Sequence, residues 1–175
     1  MTETFGGLIR ALDGSALHAI ALRLLGEVPG FPPIIQTVHL LGITAIMGSV
    51  VMVDLKILGL ALPSQSTADL IRRLMPWTWC ALPFLAVSGL VFVFARPHRY
   101  FVNPVFGTKF AMLVPALALA ATLQLLSARN PGLWKEPSAT RTAARAIAAL
   151  SLVLWIGVVL AGRWVAYADY LFQME

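Results

Sequence analysis

The chain has few charged residues and a single cysteine. Asp, Glu, Lys and Arg make up 12% of its 175 residues, whereas about 25% is usual for a soluble domain. Because Cys80 stands alone, an internal disulfide and a cysteine-based metal cluster are excluded. The net charge is +5, but no basic run is interleaved with aromatic residues, which argues against nucleic-acid binding. A soluble domain and a nucleic-acid-binding protein are both excluded.

Apolar residues dominate the chain. They make up 59% of it, and the mean hydropathy is +0.81. Four stretches approach the length of about 20 apolar residues that a bilayer requires: 34–60, 76–94, 105–126 and 143–164. We predict an all-α fold, with residues 31–175 forming a four-helix transmembrane bundle. Membrane lipids are then its first partners, and the basic excess marks topology and headgroup contact.

Residues 1–30 predict a separate pair of short amphipathic helices. Ser15 is a suitable N-cap for the second of them. The apolar residues after it recur at helical spacing, opposite His18 and Arg23: Leu17, Ile20, Ala21 and Leu24. This pattern is typical of a helix that lies in the membrane interface.

Antiparallel threading places the two termini on one side of the membrane. The loops after spans one and three carry seven basic residues, and the opposite side carries six. Short loops with more Lys and Arg stay in the cytoplasm. We predict a bacterial inner membrane protein whose N and C termini are periplasmic. This periplasmic end of the bundle is called the outer end below.

Lys109 is the most informative polar residue. It lies about 6 Å, or one turn, inside the third span, where an ammonium costs a few kcal/mol. His39 lies at a similar depth in the first span, on the same side of the membrane. Lys109 can snorkel to the headgroups or pair with Asp169, and His39 can bond a neighbouring helix. Two nitrogen donors at matching depth also predict a ligand between them.

Haem b is the ligand that this pair favours. A neutral imidazole is a good axial ligand for haem iron, so His39 and Lys109 are the axial candidates. Gly42 and Ser49 follow on the His39 face of the helix, where small residues let a flat ring approach. Arginines near the outer end are candidates for the propionates, namely Arg163 first, then Arg96 and Arg99.

A copper or zinc site is the alternative to haem at the same end of the bundle. His39, His98 and His18 are candidates for binding copper or zinc there. The six Met are scattered without ligand spacing. We rank copper below haem.

Four charged residues near the opposite membrane face have a simpler interpretation. We expect Asp54 and Lys56 to form interfacial ion pairs with Arg72 and Arg73.

Several stretches between residues 35 and 167 resemble a family of uncharacterised bacterial four-helix membrane proteins: TVHLLG, VDLKILGL, PWTW, NPVFGTKFAML and LWIGVVLAGRWVAY. A more distant resemblance is to the HemJ-type membrane protoporphyrinogen IX oxidases. In that family a histidine early in one span and a lysine at the head of a later span are implicated in binding haem b. The resemblance implies the same use of His39 and Lys109. In outline the chain is also similar to the CopD-type copper proteins, which keeps copper as an alternative.

These observations predict a haem b-binding protein with an electron-transfer role near the outer end, as a membrane oxidoreductase or its electron-transfer subunit. A quinone or porphyrin in the membrane is its expected partner. The alternatives are a cofactor-free accessory or structural subunit of a membrane complex and a copper-handling protein. Gly42, Gly48 and the Ala-rich faces of spans three and four also allow packing against a second copy or a partner subunit.

Overall fold

The computed structural model describes residues 2–130, 132–134 and 139–167, which form seven α-helices and one 3-10 turn without any β-strand. The helices are α1 (Thr2–Asp13), α2 (Ala16–Gly26), α3 (Phe31–Leu58), α4 (Thr67–Ala95), α5 (Pro97–Phe101), α6 (Pro104–Arg129) and α7 (Ala139–Trp164), and the 3-10 turn is Val165–Tyr167. The predicted all-α fold is confirmed. Residues 168–175 of the predicted transmembrane domain lie outside the described residues.

Four of these helices, α3, α4, α6 and α7, are long and apolar enough to cross a membrane. They correspond to the four predicted spans, but three of them start several residues earlier. The largest difference is at α4, which begins at Thr67 rather than at Pro76. The Ser66 side chain caps this helix by accepting from the amide of Asp69 at 3.4 Å, so the helix extends beyond the apolar run into the polar loop.

The first span ends at a glycine that the backbone requires. Gly59 has φ 84°, a left-handed conformation in which its N–H bonds back to the carbonyls of Leu55 and Lys56. Pro32 and Pro33 lie in the first turn of α3, where their missing N–H groups have no helical partner to lose.

The four long helices form a closed bundle in the order α4, α3, α7, α6. Helix α3 packs against α4 and α7, and α6 packs against α7 and, over a smaller area, against α4. Small side chains fill the α6–α7 contact and are almost completely buried: Ala116, Ala120, Ala144 and Ala148. Small residues let transmembrane helices approach closely, since lipid provides no hydrophobic force between them.

Large apolar side chains face outward from the bundle. Among them are Leu41, Phe84, Val114 and Val153, each more than 60% exposed. In water such a surface would aggregate, whereas in a bilayer it contacts the acyl chains. The outward apolar surface and the small buried residues together fit a membrane-embedded bundle.

The outer end of the bundle is closed by short segments. Helix α4 ends at Ala95 and the chain turns at Arg96, so that α5 is separate from α4. Asn103 caps α6 by accepting from the amide of Val105 at 2.9 Å, and its amide donates to the Val165 carbonyl at 3.3 Å. This side chain ties the start of α6 to the turn that follows α7.

The N-terminal helices are present, and Ser15 caps α2 by accepting from the amide of His18 at 3.1 Å. Helix α2 lies against α4 with Ala21 buried, whereas Leu17 and Ile20 are about half exposed. His18 faces the bundle and donates from Nδ1 to the Phe94 carbonyl at 2.7 Å. His18 therefore lies on the side of α2 that faces α4, because its ring N–H finds an acceptor there. The location of α2 in the membrane interface stays a prediction.

Candidate functional site

His39 is half-buried on α3 and bonds directly to α4. Its Nδ1 lies 2.8 Å from the Ser88 hydroxyl, and that hydroxyl donates to the Phe84 carbonyl at 2.5 Å. Because Ser88 has one proton and gives it to the carbonyl, it accepts from the ring. Nδ1 then carries the imidazole proton, and Nε2 has a free lone pair. The predicted bond to a neighbouring helix is confirmed, and it leaves the ring able to bind a metal.

The ring of His39 lies close to the backbone of α4. A Cβ added at Gly89 would be 3.5 Å from Cε1 of the ring, so glycine leaves the ring room beside the helix. Ser88 and Gly89 were not predicted. The signal that identifies them is a Ser-Gly pair inside an otherwise large and apolar span.

Lys109 is half-buried on α6 and extends toward α7. Its Nζ and Cε lie 3.7 Å from where a Cβ on Gly162 would stand, so a glycine again makes space for a polar side chain. Across the described part of the chain, Lys109 has no hydrogen-bond or ion-pair partner. Its expected alternative partner, Asp169, lies outside the described residues.

His39 and Lys109 come from helices that are not neighbours in the bundle. His39 is the ninth residue of α3 and Lys109 the sixth of α6, so both lie toward the outer end. Each side chain crosses to a different helix, His39 to α4 and Lys109 to α7. The predicted pair is thus brought to the same end of the bundle interior.

Gly42 and Ser49 share the buried side of α3 with His39. A Cβ at Gly42 would meet Cγ of Leu85 at 2.9 Å, so this glycine provides the close contact between α3 and α4. Ser49 donates to the carbonyl of Ala45 within its own helix. Both residues contribute to helix packing, and their role in binding a cofactor stays a prediction.

The predicted propionate partners lie at the outer end. Arg163 follows Gly162 directly; its guanidinium donates to the Tyr167 hydroxyl at 2.8 Å and lies 4.9 Å from the centre of that ring. Arg96 is exposed at the end of α4. Arg99, in α5, is half-buried and has interactions of its own. Of the three, Arg163 lies closest in sequence to the residue that Lys109 contacts.

Aromatic side chains surround the start of α6. Phe106 makes edge-on contacts with Tyr100, Phe101 and Phe110 at centroid distances of 5.3, 6.2 and 4.9 Å. Burial raises the pKa of the Tyr100 phenol, and the charges of Arg99 and Arg96 oppose that effect. The phenol is therefore neutral at pH 7. These ring contacts flank Lys109, since Phe106 lies about one turn before it and Phe110 follows it directly.

The three histidines proposed for copper have different surroundings. His39 bonds Ser88, His18 bonds the Phe94 carbonyl, and His98 is exposed on α5. In the described ranges, no three His, Cys, Asp or Glu side chains form a group that could hold a metal ion. The structure therefore gives no support to a three-histidine copper site.

The ion pairs expected at the opposite end are not formed. Asp54 is only 1% exposed, and neither of its carboxylate oxygens has a hydrogen-bond partner among the residues that the structure describes. Lys56 donates to the Leu62 carbonyl at 2.6 Å, and Arg72 pairs with Asp69 at 2.8 Å. The expectation is wrong for Asp54 because this residue lies on the face of α3 that points into the bundle. Helix α4 begins earlier than predicted, so Arg72 and Arg73 lie on its exposed surface.

Comparison with known proteins identifies a family. Residues 30–168 match a family of unknown function (DUF6644). No curated protein and no solved structure shows a significant match. The match covers most of the chain, and it begins just before α3 and ends just after the 3-10 turn.

Proposed function

The chain belongs to this family of unknown function, and from its own side chains we propose that it binds haem b near the outer end of the bundle. His39 is the first axial ligand and Lys109 the second. One observation carries the proposal: the bond from Nδ1 of His39 to Ser88, 2.8 Å long, leaves the lone pair of Nε2 available. A ligating histidine almost always donates its other ring N–H to a neighbouring acceptor.

Lys109 supports the proposal because its amine is inside the bundle without a partner among the described residues. Its side chain lies against Gly162 of α7, two residues before the end of that helix, so the amine points toward the outer end of the bundle. Neutral imidazole is a common ligand of haem iron. A buried lysine loses its proton more readily than an exposed one, and its amine then offers a nitrogen lone pair as well.

Arg163 is the proposed propionate partner. It follows the glycine that Lys109 contacts, and its stacking on Tyr167 fixes the guanidinium at the membrane boundary. Arginine binds carboxylates with two parallel hydrogen bonds. Arg96 and Arg99 are further candidates.

The proposed role is electron transfer, between a quinone or porphyrin in the membrane and a partner on the outer side. When bound, haem supplies the redox chemistry, and the protein sets its orientation and access. We place the chain in a bacterial inner membrane with both termini periplasmic. In that orientation the His39–Lys109 end faces the periplasm.

An optical spectrum tests the haem site. Protein purified in detergent from haem-replete cells is expected to show a Soret band that shifts on reduction with dithionite. His39→Ala and Lys109→Ala should both lose the band, since each removes an axial ligand. The matched controls are His98→Ala, an exposed histidine at the same end, and Lys56→Ala, a lysine at the opposite end.

The decisive negative result is a colourless wild-type protein that also fails to bind added haemin. It would sink the proposal and leave a cofactor-free accessory subunit as the better interpretation. A Soret band that persists in both single variants would place haem elsewhere in the bundle. Metal analysis of the same preparation by mass spectrometry tests the copper alternative.

A further inference from the structure

The interior of the bundle contains polar atoms that the proposed haem site does not use. In the described part of the chain, five buried side-chain N or O atoms have no hydrogen-bond partner. They belong to Asp54, Thr78, Ser151 and Trp155. Buried polar atoms are nearly always paired, so such a set needs an explanation.

Asp54 and Ser151 form the centre of this set. Ser151 lies on α7 beside the Asp54 carboxyl of α3, but its hydroxyl is not in hydrogen-bonding geometry with either carboxylate oxygen. Both residues are at most 1% exposed. Trp155 follows one turn later on the same buried face of α7, and its indole N–H is the next unpartnered polar group along the described part of that helix.

Among the residues that the structure describes, no cationic side chain pairs with Asp54. The charged side chains of the neighbouring elements at this end are Lys56, Asp69, Arg72, Arg73, Arg141 and Arg145. Lys56 bonds the carbonyls of the following loop, and Arg72 pairs with Asp69. Arg73 and Arg145 are exposed. Arg141 lines a cavity at the end of the bundle and has interactions of its own.

An ionised carboxylate without a partner is too costly to keep in this position. Burial of an isolated ionised carboxylate is so unfavourable that the group takes up a proton instead. A bound metal cation is the other way to remove the charge, but hard cations require about six or more oxygen ligands. Beside Asp54, the described residues offer the single hydroxyl of Ser151.

An open cavity lies one helical turn from this site, at the end of the bundle. A cavity of about 420 Å³ opens where α3 ends and α4 and α7 begin, lined among others by Lys56, Ile57 and Arg145. Ile57 is one helical turn from Asp54 and only 5% exposed. It is the side chain that separates the carboxyl from the cavity along α3.

We propose that Asp54 is a proton-binding site inside the membrane bundle, completed by Ser151 and supplied from the cavity at the α3–α4 loop. Ionisable residues within transmembrane helices commonly serve proton transfer. The site is independent of the proposed haem. Asp54 is 15 residues from His39 on the same helix, about 22 Å along its axis.

Infrared spectroscopy of the purified protein at pH 7 tests this assignment. A protonated carboxylic acid has a carbonyl stretching band that a carboxylate lacks. We expect one such band in the wild type and its loss in Asp54→Asn, whose neutral amide has nearly the shape of the protonated acid. Asp69→Asn is the matched control and should keep the band, because Asp69 is exposed and paired with Arg72.

A second variant tests whether Ser151 forms part of the site or the Asp54 carboxyl is only buried. Ser151→Ala should shift the frequency of the band without removing it, since the hydroxyl beside the carboxyl is gone. Transfer into heavy water should shift the band in the wild type, because the proton exchanges through the cavity.

Three results would overturn the proposal: no protonated-carboxyl band in the wild type at pH 7, a band that persists in Asp54→Asn, or a band that sodium or potassium ions abolish. The last result would make Asp54 a metal-cation ligand. If Asp54→Asn does not fold, the wild-type spectrum at pH 7 decides alone. Apo protein without haem can be used throughout, so the outcome does not depend on the haem proposal.

Discussion

Ser88 determines which nitrogen of His39 carries the proton. Its hydroxyl proton is already given to the carbonyl of Phe84, so it accepts from Nδ1 of the ring. A serine at this position therefore does for His39 what carboxylates and carbonyls do for many metal-ligating histidines. A residue that looks like ordinary small-residue packing in the sequence has a specific chemical role in the proposed site.

Replacing this serine gives a prediction at the residue scale. Ser88→Ala leaves Nδ1 of His39 without its acceptor and frees the ring to rotate. Loss of such a partner typically weakens metal binding by about 10–100-fold. We expect haem affinity, measured by titration with haemin, to fall by about that factor while the protein still folds.

The control for this experiment is Thr122→Ala. Thr122 is exposed on α6, and its hydroxyl bonds the carbonyl of Ala118 within its own helix. Its removal should leave haem affinity unchanged. Equal affinities of wild type and Ser88→Ala would show that the serine does not orient a ligand.

Asp54 shows that a sequence pattern does not reveal which face of a helix a residue near its end occupies. Asp54 is two residues from Lys56, and the topology places it at the same membrane face as Arg72 and Arg73, so the sequence predicts interfacial ion pairs. Whether a residue near a helix end faces lipid, water or the interior depends on the rotation of the helix. In α3 that rotation is set by the buried residues Ile46, Val50 and Val53, which place Asp54 inside.

At the scale of elements, glycines set how closely the helices approach. Gly42 lies under Leu85 at the contact between α3 and α4, whereas Gly48, on the same helix, is exposed with nothing within 4 Å of an added Cβ. The two glycines are alike in sequence context and differ only in the face they occupy. They form a matched pair for testing the helix contact.

Gly42→Ala is expected to destabilise the bundle. The new methyl would stand 2.9 Å from Cγ of Leu85, and that atom cannot move away without a rotation of the whole side chain. Overpacking of this kind costs about 1–3 kcal/mol. The free energy of unfolding in detergent should fall by that amount.

Gly48→Ala should leave the free energy of unfolding unchanged or raise it, since alanine favours the helix. If both variants unfold alike, the close contact between α3 and α4 is not maintained in solution.

The four spans were predictable at this scale because hydropathy is a sum over about twenty neighbouring residues. Their ends were less predictable. The start of α4 depends on the cap at Ser66 and on the pair of Arg72 with Asp69. These interactions involve polar residues, and polar residues lower the mean hydropathy from which a transmembrane span is predicted.

At the scale of the whole molecule, the two ends of the bundle differ in chemistry. His39 and Lys109 lie toward the outer end, and Asp54 lies toward the end that contains the cavity. The orientation in the membrane therefore decides which aqueous side each proposed site serves. Cysteine labelling measures that orientation directly.

For labelling, single cysteines are introduced into a Cys80→Ser background at two exposed positions at opposite ends, Val102 and Ser64. With periplasmic termini, Val102→Cys should react with a membrane-impermeant maleimide in spheroplasts, and Ser64→Cys only after the membrane is opened. Native Cys80 is exposed on α4, near the middle of the span. In the unaltered protein, which is the control, Cys80 should not react with the maleimide because it faces lipid. The reverse pattern would show that the orientation is inverted.

The sequence by itself determined that this protein is an α-helical bundle of four apolar spans, and it singled out His39 and Lys109. Both conclusions rest on composition over short windows and on the cost of a charge in an apolar helix, neither of which needs tertiary contacts. Only the tertiary structure decided that His39 bonds a serine 49 residues away and that Lys109 lies against Gly162. It also decided that Asp54 is buried with no hydrogen-bond partner among the described residues. These facts depend on how the helices are rotated and aligned with one another, and that arrangement is set by packing across the whole bundle.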